Sequence, residues 1–202
     1  MVLQLSPKDV RMHIEVNRFQ LRDFTCDDRP VFVAYQMDPR YRALYDLHGE
    51  NTNHADNLFD LFLGWQVEAP RKNFQLGIFD REGALVGSAG LRLSGQGAAE
   101  AGIELSPDNW GRYRLALDTM EALLRFGFSE LRLSRVYGHT ASGNRRVERL
   151  ARRFGARIVS QRQGPDWMTK RGWNEVEWEL SAIQFGRRII TPSALISWGG
   201  HE

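Results

Sequence analysis

The clearest hydrophobic pattern in the chain follows a glycine-bearing turn near its middle. After this turn, apolar residues recur at offsets of three and four, at Ala116, Met120, Leu123, Leu124, Gly127, Phe128 and Leu131. This spacing predicts a long amphipathic helix with one buried face. The residues just before the turn read as a strand, so a strand, a turn and a helix follow one another directly over residues 102–131.

Hydrophobic and polar residues alternate with a period of two in several other segments, and this alternation predicts strands. In the last of them, Val176, Trp178 and Leu180 alternate with three glutamates. The predicted strands are residues 13–24, a hairpin over 74–93, a strand after Gly97 that ends at 105, and residues 134–139, 156–163 and 173–182. Helical spacing predicts further helices at 30–37, 55–67 and 143–154, and Gly155 is the natural stop of the last.

This order of elements, β, α, α, β, β, β, α, β, α, β, β, predicts the α/β (α+β) fold class. We expect a mixed, mostly antiparallel central sheet of about seven strands, flanked by four helices. The expected domain covers residues 13–185, between a leader of residues 1–12 and a tail of residues 186–202. The segments at 38–54 and 164–172 are the least regular parts. The first is expected to be a connecting loop or a broken helix, and loops of this kind often contact ligands.

Composition and charge narrow the function classes. The 202 residues, 42% of them hydrophobic, are enough for one domain with a substantial core. A net charge of +2 is too balanced to imply nucleic acid or an anionic membrane as a partner. The single cysteine, Cys26, excludes an internal disulfide. We expect a cytoplasmic protein without a membrane span, and no metal, because the histidines show no ligand spacing.

The central strand, turn and helix also predict a candidate anion site. A helix leaves its first backbone N–H groups unpaired and carries a partial positive charge at that end, so it can hold a phosphate. The alternative is an ordinary connection of an α/β unit, in which the glycine serves only the turn.

Three segments carry a resemblance to a known family. Residues 14–22 read IEVNRFQLR, residues 102–111 read GIELSPDNWG, and residues 144–155 read NRRVERLARRFG. Together with the element order, they resemble the GNAT superfamily of acyl-CoA-dependent N-acyltransferases, and within it the RimJ/RimL-type branch that acetylates protein N-termini. That branch typically opens with I-E-T-E-R-L-x-L-R and has G-Y-E-L-x-P-x-x-W-G in the middle. The resemblance covers roughly residues 12–182, and its middle segment is the most specific.

The resemblance implies an N-acetyltransferase that transfers an acetyl group directly from acetyl-CoA to a primary amine of a peptide, a protein N-terminus or a small metabolite. It implies that the central strands splay, that acetyl-CoA lies between them, and that Glu104 acts as general base. The acceptor amine would pass the Tyr41 to His48 loop and the loop around residues 165–172. The implied cofactor-binding residues are Ile103, Leu105 and Asn144 for the pantetheine arm, and Gly111, Arg112, Tyr113, Arg114, Leu115 and Ala116 for the pyrophosphate.

Two departures from the family pattern bear on this function. The usual turn reads W-G-x-G-x-A, whereas this chain has Tyr113 or Arg114 where the second glycine belongs. The closing helix has Ala151 and Val147 where many relatives carry a tyrosine or a serine hydroxyl. A catalytic acid would then come from Ser142, Tyr137 or His139.

These departures keep other readings open. One is a catalytically silent GNAT-fold binding or assembly module with a degenerate cofactor loop. Another is RNA or ribosome binding through the arginines, although a solvated helix face is the commoner role and nucleic acid is not the expected partner. These arginines are Arg145, Arg146, Arg149, Arg152, Arg153 and Arg157.

Two further expectations concern Asn144 and the oligomeric state. Asn144 could cap its helix instead of binding pantetheine. The protein could also form a homodimer.

Overall fold

A computed structural model describes residues 12–16, 18–44 and 53–190 of the chain. Within them, eight strands form a single sheet in the order β1-β2-β3-β4-β5-β6-β8-β7. The strands are β1 (His13–Val16), β2 (Phe19–Arg22), β3 (Asn73–Asp80), β4 (Leu85–Gly95), β5 (Ala98–Leu105), β6 (Arg135–Ala141), β7 (Arg157–Gln163) and β8 (Asn174–Ser181).

Seven α-helices accompany the sheet in this part of the chain. They are α1 (Arg29–Gln36), α2 (Pro39–Leu44), α3 (His54–Gln66), α4 (Tyr113–Arg125), α5 (Arg145–Phe154), α6 (Asp166–Thr169) and α7 (Ala182–Ile190). None of the helices among these residues has the length and apolar content that a membrane span requires. The predicted α/β architecture is confirmed, with one more strand and three more helices than the sequence indicated.

The additional strand arises because residues 13–24 form a hairpin, not one strand. β1 pairs antiparallel with β2, and Ile14 lies opposite Leu21. Phe19 and Leu21 are buried on β2, whereas the side chains of β1 are exposed or half-buried. The apolar residues Val16 and Phe19 are three positions apart, so the alternation shifts phase between β1 and β2, where the chain reverses.

The three additional helices lie where the sequence pattern is short or irregular. α2 and α6 lie in the predicted loops at 38–54 and 164–172, and each is shorter than two turns. α7 follows directly on β8 and runs across the expected end of the domain at residue 185. The expected leader at residues 1–11 and the tail beyond residue 190 lie outside the described residues, and the domain limits stay a prediction.

The central helix is confirmed, although its last part differs from a regular α-helix. α4 passes into a π-helical segment at Phe126–Glu130. A side chain at Gly127 would come within about 3 Å of Leu91 and Leu133, so glycine allows this segment to lie close to the sheet.

Helices cover both faces of the sheet and define two apolar clusters. On one face, Leu123 and Leu124 of α4 and Leu150 of α5 pack against strand residues such as Leu91 and Val136. On the other face, an aromatic cluster joins α1 and α3 to β3, with Phe24, Phe32, Phe59, Phe62 and Phe79. The candidate site lies where β5 and β6 meet between these layers.

Candidate functional site

β5 and β6 form the one parallel pair among the described strands, and they separate after three residue pairs. Ala98, Ala99 and Glu100 pair with Arg135, Val136 and Tyr137, and no later pair between the two strands is formed in the described chain. A Cβ on Gly138 would lie 3.0 Å from the Ala101 carbonyl oxygen, so the close approach before the split depends on glycine. The predicted splay is therefore present, and it opens the edge of β5 from residue 101 to residue 105.

A mostly apolar cavity lies beneath this split, between β5, β6 and β8 on one side and α4 and α5 on the other. Ile103 lines it from β5, and Val147 and Ala151 line it from α5. The two positions at which many relatives carry a hydroxyl thus face the cavity with apolar side chains.

Trp178 also lines this cavity, and it contains an unusual polar group. The indole is 6% exposed, and its Nε1–H has no hydrogen-bond partner within the described part of the chain. A buried donor without a partner costs about 1–3 kcal/mol. The nitrogen itself is buried, and the guanidinium carbon of Arg152 lies 5.4 Å from the centroid of the ring.

The candidate anion site is the turn between β5 and α4. Pro107–Asn109 form a 3-10 turn, and Gly111 has a φ of 92°, in the left-handed region that favours glycine. No atom of the described residues lies within 4 Å of a Cβ placed on Gly111, so the backbone is open there. α4 then begins at Tyr113 without a side-chain cap. The backbone N–H groups of Arg112, Tyr113 and Ala116 already donate to backbone carbonyls. Those of Gly111, Arg114 and Leu115 have no such partner among the described residues and remain as anion donors.

The side chains that replace the second glycine lie to the side of this turn. Tyr113 packs against the core, and the guanidinium carbon of Arg149 lies 4.4 Å above its ring. Arg114 forms an ion pair with Asp118 at 2.9 Å, and Arg112 donates to Asn109 Oδ1 at 2.6 Å. Arg114 is thus held along α4, whereas Arg112 is held against the 3-10 turn.

The arginines of α5 serve more than one purpose. Arg145 and Arg152 form ion pairs with Glu148 on the same helix and lower the pKa of its carboxyl, with hydrogen bonding as the main cause. Arg146 lies 6.0 Å from the ring of Trp110, which precedes Gly111. Arg146 and Arg149 therefore add positive charge beside the turn.

Asn144 caps α5. Its Oδ1 accepts a hydrogen bond from the Val147 amide at 3.2 Å, which is the capping geometry. The capping role is thus confirmed. The role of its side chain in binding pantetheine stays a prediction.

Glu104 lies on the face of β5 opposite the cavity's helices, and four side chains hold its carboxylate. Oε1 accepts hydrogen bonds from Tyr35 Oη at 2.7 Å, Gln36 Nε2 at 2.8 Å and Ser88 Oγ at 3.1 Å. Oε2 accepts one from Tyr41 Oη at 2.6 Å. A carboxylate has about four lone-pair directions, so Oε2 keeps one direction that no described residue fills.

The Tyr35 phenol, one of the donors to Glu104, stays protonated in this environment. Burial raises the pKa of the Tyr35 phenol well above its usual range, and the negative charge of Glu104 raises it further. Tyr35 therefore serves as a hydrogen-bond donor at physiological pH. Its interaction fixes the orientation of the Glu104 carboxylate.

The three candidates for a catalytic acid occupy different places. Tyr137 and His139 line the cavity from β6, and His139 Nδ1 lies 3.3 Å from Glu100 Oε1. Ser142 Oγ accepts a hydrogen bond from the Asn174 amide at 3.0 Å, which links the ends of β6 and β8.

Sequence reasoning missed the donors to Glu104 and the free indole N–H. Tyr35 and Gln36 lie 69 and 68 positions from Glu104, and their spacing on α1 is that of an ordinary buried helix face. Trp178 fits the alternation of β8 as a core residue. The signal available in the sequence was the tyrosine at position 41, which lies in a loop that was expected to contact the acceptor.

Comparison with known proteins agrees with this geometry. The profile of the family "Acetyltransferase (GNAT) domain" matches residues 18–157. An uncharacterized N-acetyltransferase of Bacillus subtilis, YoaA, is 28% identical over 148 residues, which cover 70% of this chain and 81% of that protein.

Solved structures of acetyltransferases share the fold. The spermidine N-acetyltransferase of Vibrio cholerae, solved with CoA and spermine, superimposes with a TM-score of 0.69 at 15% identity, over 84% of this chain and 99% of its own. A putative ribosomal-protein-serine acetyltransferase of Vibrio cholerae gives a TM-score of 0.64 at 20% identity, over 88% and 99%. At such identities the likeness concerns the fold alone.

An open strand edge, a cavity beneath it and a helix N-terminus beside it define an acyltransferase-type cleft. With the family match over residues 18–157, the chain belongs to the GNAT acetyltransferase family.

Proposed function

We propose that this protein is an acetyl-CoA-dependent N-acetyltransferase, and that it transfers acetyl directly to a primary amine of a peptide, a protein N-terminus or a small metabolite. The observation that supports this most strongly is the split between β5 and β6, with its apolar cavity and the open turn at Gly111. An extended apolar arm with a phosphate group at one end matches these three features together.

The residues that would hold acetyl-CoA follow from the same features. Ile103 and Leu105 offer backbone groups along the open edge of β5. Within the turn from Gly111 to Ala116, the N–H groups of Gly111, Arg114 and Leu115 would bind the pyrophosphate, and Asn144 lies at the start of α5. When bound, acetyl-CoA supplies the activated acyl carbonyl.

Glu104 is the proposed general base. The open direction on Oε2 can take the proton that the amine loses as its nitrogen bonds to the acyl carbon, directly or through one water. The free N–H groups on the edge of β5 are suited to stabilise the developing oxyanion. As the C–S bond breaks, Tyr137 or His139 at the cavity could return a proton to sulfur.

The acceptor class is the finer part of the proposal. The sequence segments at residues 14–22 and 102–111 favour the RimJ/RimL-type branch and thus a protein N-terminus. The fold is shared equally with the spermidine N-acetyltransferase, so a polyamine is the alternative acceptor.

Titration calorimetry with acetyl-CoA tests the cofactor. We expect saturable binding with a dissociation constant in the micromolar range, and no binding of acetate alone. Absence of binding at millimolar acetyl-CoA would refute the proposed function.

Release of free CoA thiol in the presence of a panel of amines tests the reaction and the acceptor. We expect faster release with peptides that have a free N-terminus than with the same peptides acetylated at the N-terminus. A preference for spermidine over every peptide would contradict the RimJ/RimL-type assignment.

A catalytically silent GNAT-fold module is the second candidate. It is favoured by the apolar side chains of Val147 and Ala151 at the cavity. Cofactor binding without thiol release from any amine would support it, and robust release would reject it.

A further inference from the structure

Arg171, in the loop between β7 and β8, forms hydrogen bonds to a helix far away in the sequence. Its Nη1 donates to the Leu44 carbonyl at 2.6 Å and its Nη2 to the Ala43 carbonyl at 2.7 Å. These two carbonyls lie at the C-terminal end of the described part of α2. Because the guanidinium presents its donors in one rigid plane, it fixes the position of the segment that it binds.

The loop holds the Arg171 guanidinium ready for this contact. Its central carbon lies 5.7 Å from the ring centroid of Trp167 and 5.4 Å from that of Trp173. Trp173 in turn packs on Gly143, where its ring fills the space that any side chain would need. A planar guanidinium between aromatic rings loses little freedom when it binds a second partner.

α2 connects this contact to the candidate catalytic carboxylate. From α2, Tyr41 donates to Glu104 Oε2 at 2.6 Å, and Arg40 donates to Asp108 Oδ1 at 2.7 Å in the turn before α4. A helix of six residues has little stability of its own, so its tertiary contacts decide its position. The chain of contacts therefore runs from Arg171 through α2 and Tyr41 to Glu104.

We propose that Arg171 is a positioning residue of the acetyltransferase site: it fixes α2 and thereby holds Tyr41 and Glu104 in the orientation that proton transfer requires. This inference rests on the proposed function for its catalytic consequence. It assigns the β7–β8 loop a role in alignment of the base, in addition to any contact with the acceptor.

Steady-state kinetics of Arg171→Ala test the catalytic consequence. We expect kcat to fall about 10- to 100-fold, because small misplacements of a catalytic group have effects of this size. The dissociation constant of acetyl-CoA should stay unchanged. Arg171→Lys keeps the charge but loses the pair of guanidinium donors, so its kcat should lie between that of the wild type and that of Arg171→Ala. Arg162→Ala is the matched control, because Arg162 is an exposed arginine of β7 that pairs with Glu175 and does not contact α2.

A double-mutant cycle with Tyr41→Phe separates positioning from a general loss of stability. If Arg171 acts through Tyr41, the double variant loses no more kcat than the more damaging single variant. Fully additive losses would overturn the proposal.

Hydrogen exchange tests the structural link without an assay of activity. In Arg171→Ala, we expect the amides of residues 40–44 to lose protection at least fivefold, whereas the amides of α4 keep theirs. Arg162→Ala should leave the protection of both helices unchanged. Unchanged protection of α2 would overturn the proposal even in an active enzyme. An inactive wild-type protein would refute the proposed function, and exchange would still decide whether Arg171 holds α2.

Discussion

The Glu104 carboxylate is held in place by hydrogen bonds, and one lone-pair direction of Oε2 still stays open for a proton. Three donors converge on Oε1, whereas Oε2 accepts one hydrogen bond, from Tyr41. The restrained oxygen fixes the geometry of the carboxylate, and the other oxygen can take a proton.

This arrangement predicts the effect of Glu104→Gln. An amide cannot take the proton, so kcat should fall about 100-fold or more at neutral pH, with little change in acetyl-CoA affinity. The deficit should shrink as the pH rises, because hydroxide then takes the proton that the amide cannot accept. Glu121→Gln, on the exposed face of α4, is the control. A kcat of Glu104→Gln equal to that of the wild type would exclude the general-base role.

Two buried side-chain atoms, Thr119 Oγ1 and Trp178 Nε1, have no hydrogen-bond partner among the described residues. Trp178 lines the cavity, and Thr119 lies on α4 next to Met120, which also lines it. A buried polar atom without a partner lowers the stability of the folded protein.

Thr119→Val should stabilise the protein by about 1 kcal/mol, because valine fills the same volume without an unpaired hydroxyl. Thr25→Val is the counterpart, since Thr25 Oγ1 donates to Asp28 and its loss should destabilise by a similar amount. Urea unfolding measures both. A destabilised Thr119→Val would show that the hydroxyl has a partner in solution.

At the scale of elements, the turn between β5 and α4 combines an unusual backbone with an open surface. Gly111 has a positive φ, and apart from its chain neighbours no described atom lies within 4 Å of a Cβ placed on it. Two positions later, Tyr113 stands where the family pattern has its second glycine, and its ring packs against the guanidinium of Arg149. We expect the single glycine to be sufficient to keep this backbone accessible.

Gly111→Ala tests this reading of the turn. A non-glycine residue at this φ costs about 1 kcal/mol or more, so we expect both a loss of stability and an acetyl-CoA affinity weakened about tenfold. Gly64→Ala is the matched control: it lies within α3, has no neighbour within 4 Å among the described atoms, and should be neutral or stabilising. Equal affinities for wild type and Gly111→Ala would place the phosphates elsewhere.

At the scale of the whole molecule, a buried ion pair links the hairpin at one end of the sheet to the segment that enters β3. Asp23 is 2% exposed, and Arg71 binds it with two hydrogen bonds of 2.6 and 2.9 Å. The Met12 amide donates a third, at 2.8 Å. Because β2 and β3 are neighbours in the sheet, this pair stabilises the sheet end that includes β1.

Arg71→Ala should therefore lower the free energy of unfolding by about 3–5 kcal/mol, because it leaves a buried carboxylate without its cation. Arg125→Ala removes an exposed pair with Glu121 on α4 and should cost less than about 0.5 kcal/mol. Denaturant unfolding compares the two variants. Similar small losses would mean that water reaches Asp23 and replaces the arginine.

Sequence patterns were sufficient for the elements whose burial follows a single period. Helix α4, the β3-β4-β5 meander, the helix stop at Gly155 and the alternation of β8 are local features, and hydrophobic periodicity reports which face of each is buried. The reversal between β1 and β2 was not predicted, although the alternation shifts phase between Val16 and Phe19. The short helix α6 was not predicted, because fewer than two turns give no detectable period. The segment that contains α2 was left open as a loop or a broken helix.

The sequence by itself thus determined the family fold, the strand, turn and helix at its centre, and the position of Glu104 on a central strand. The tertiary structure alone decided which groups surround that carboxylate, because Tyr35, Gln36, Tyr41 and Ser88 meet it from elements far apart in the chain. It also decided that Tyr113 lies beside the turn and that Arg171 reaches α2. The physical reason is that spacing along the chain records only which side of an element is buried, whereas a site depends on directions and distances between elements that only their packing sets.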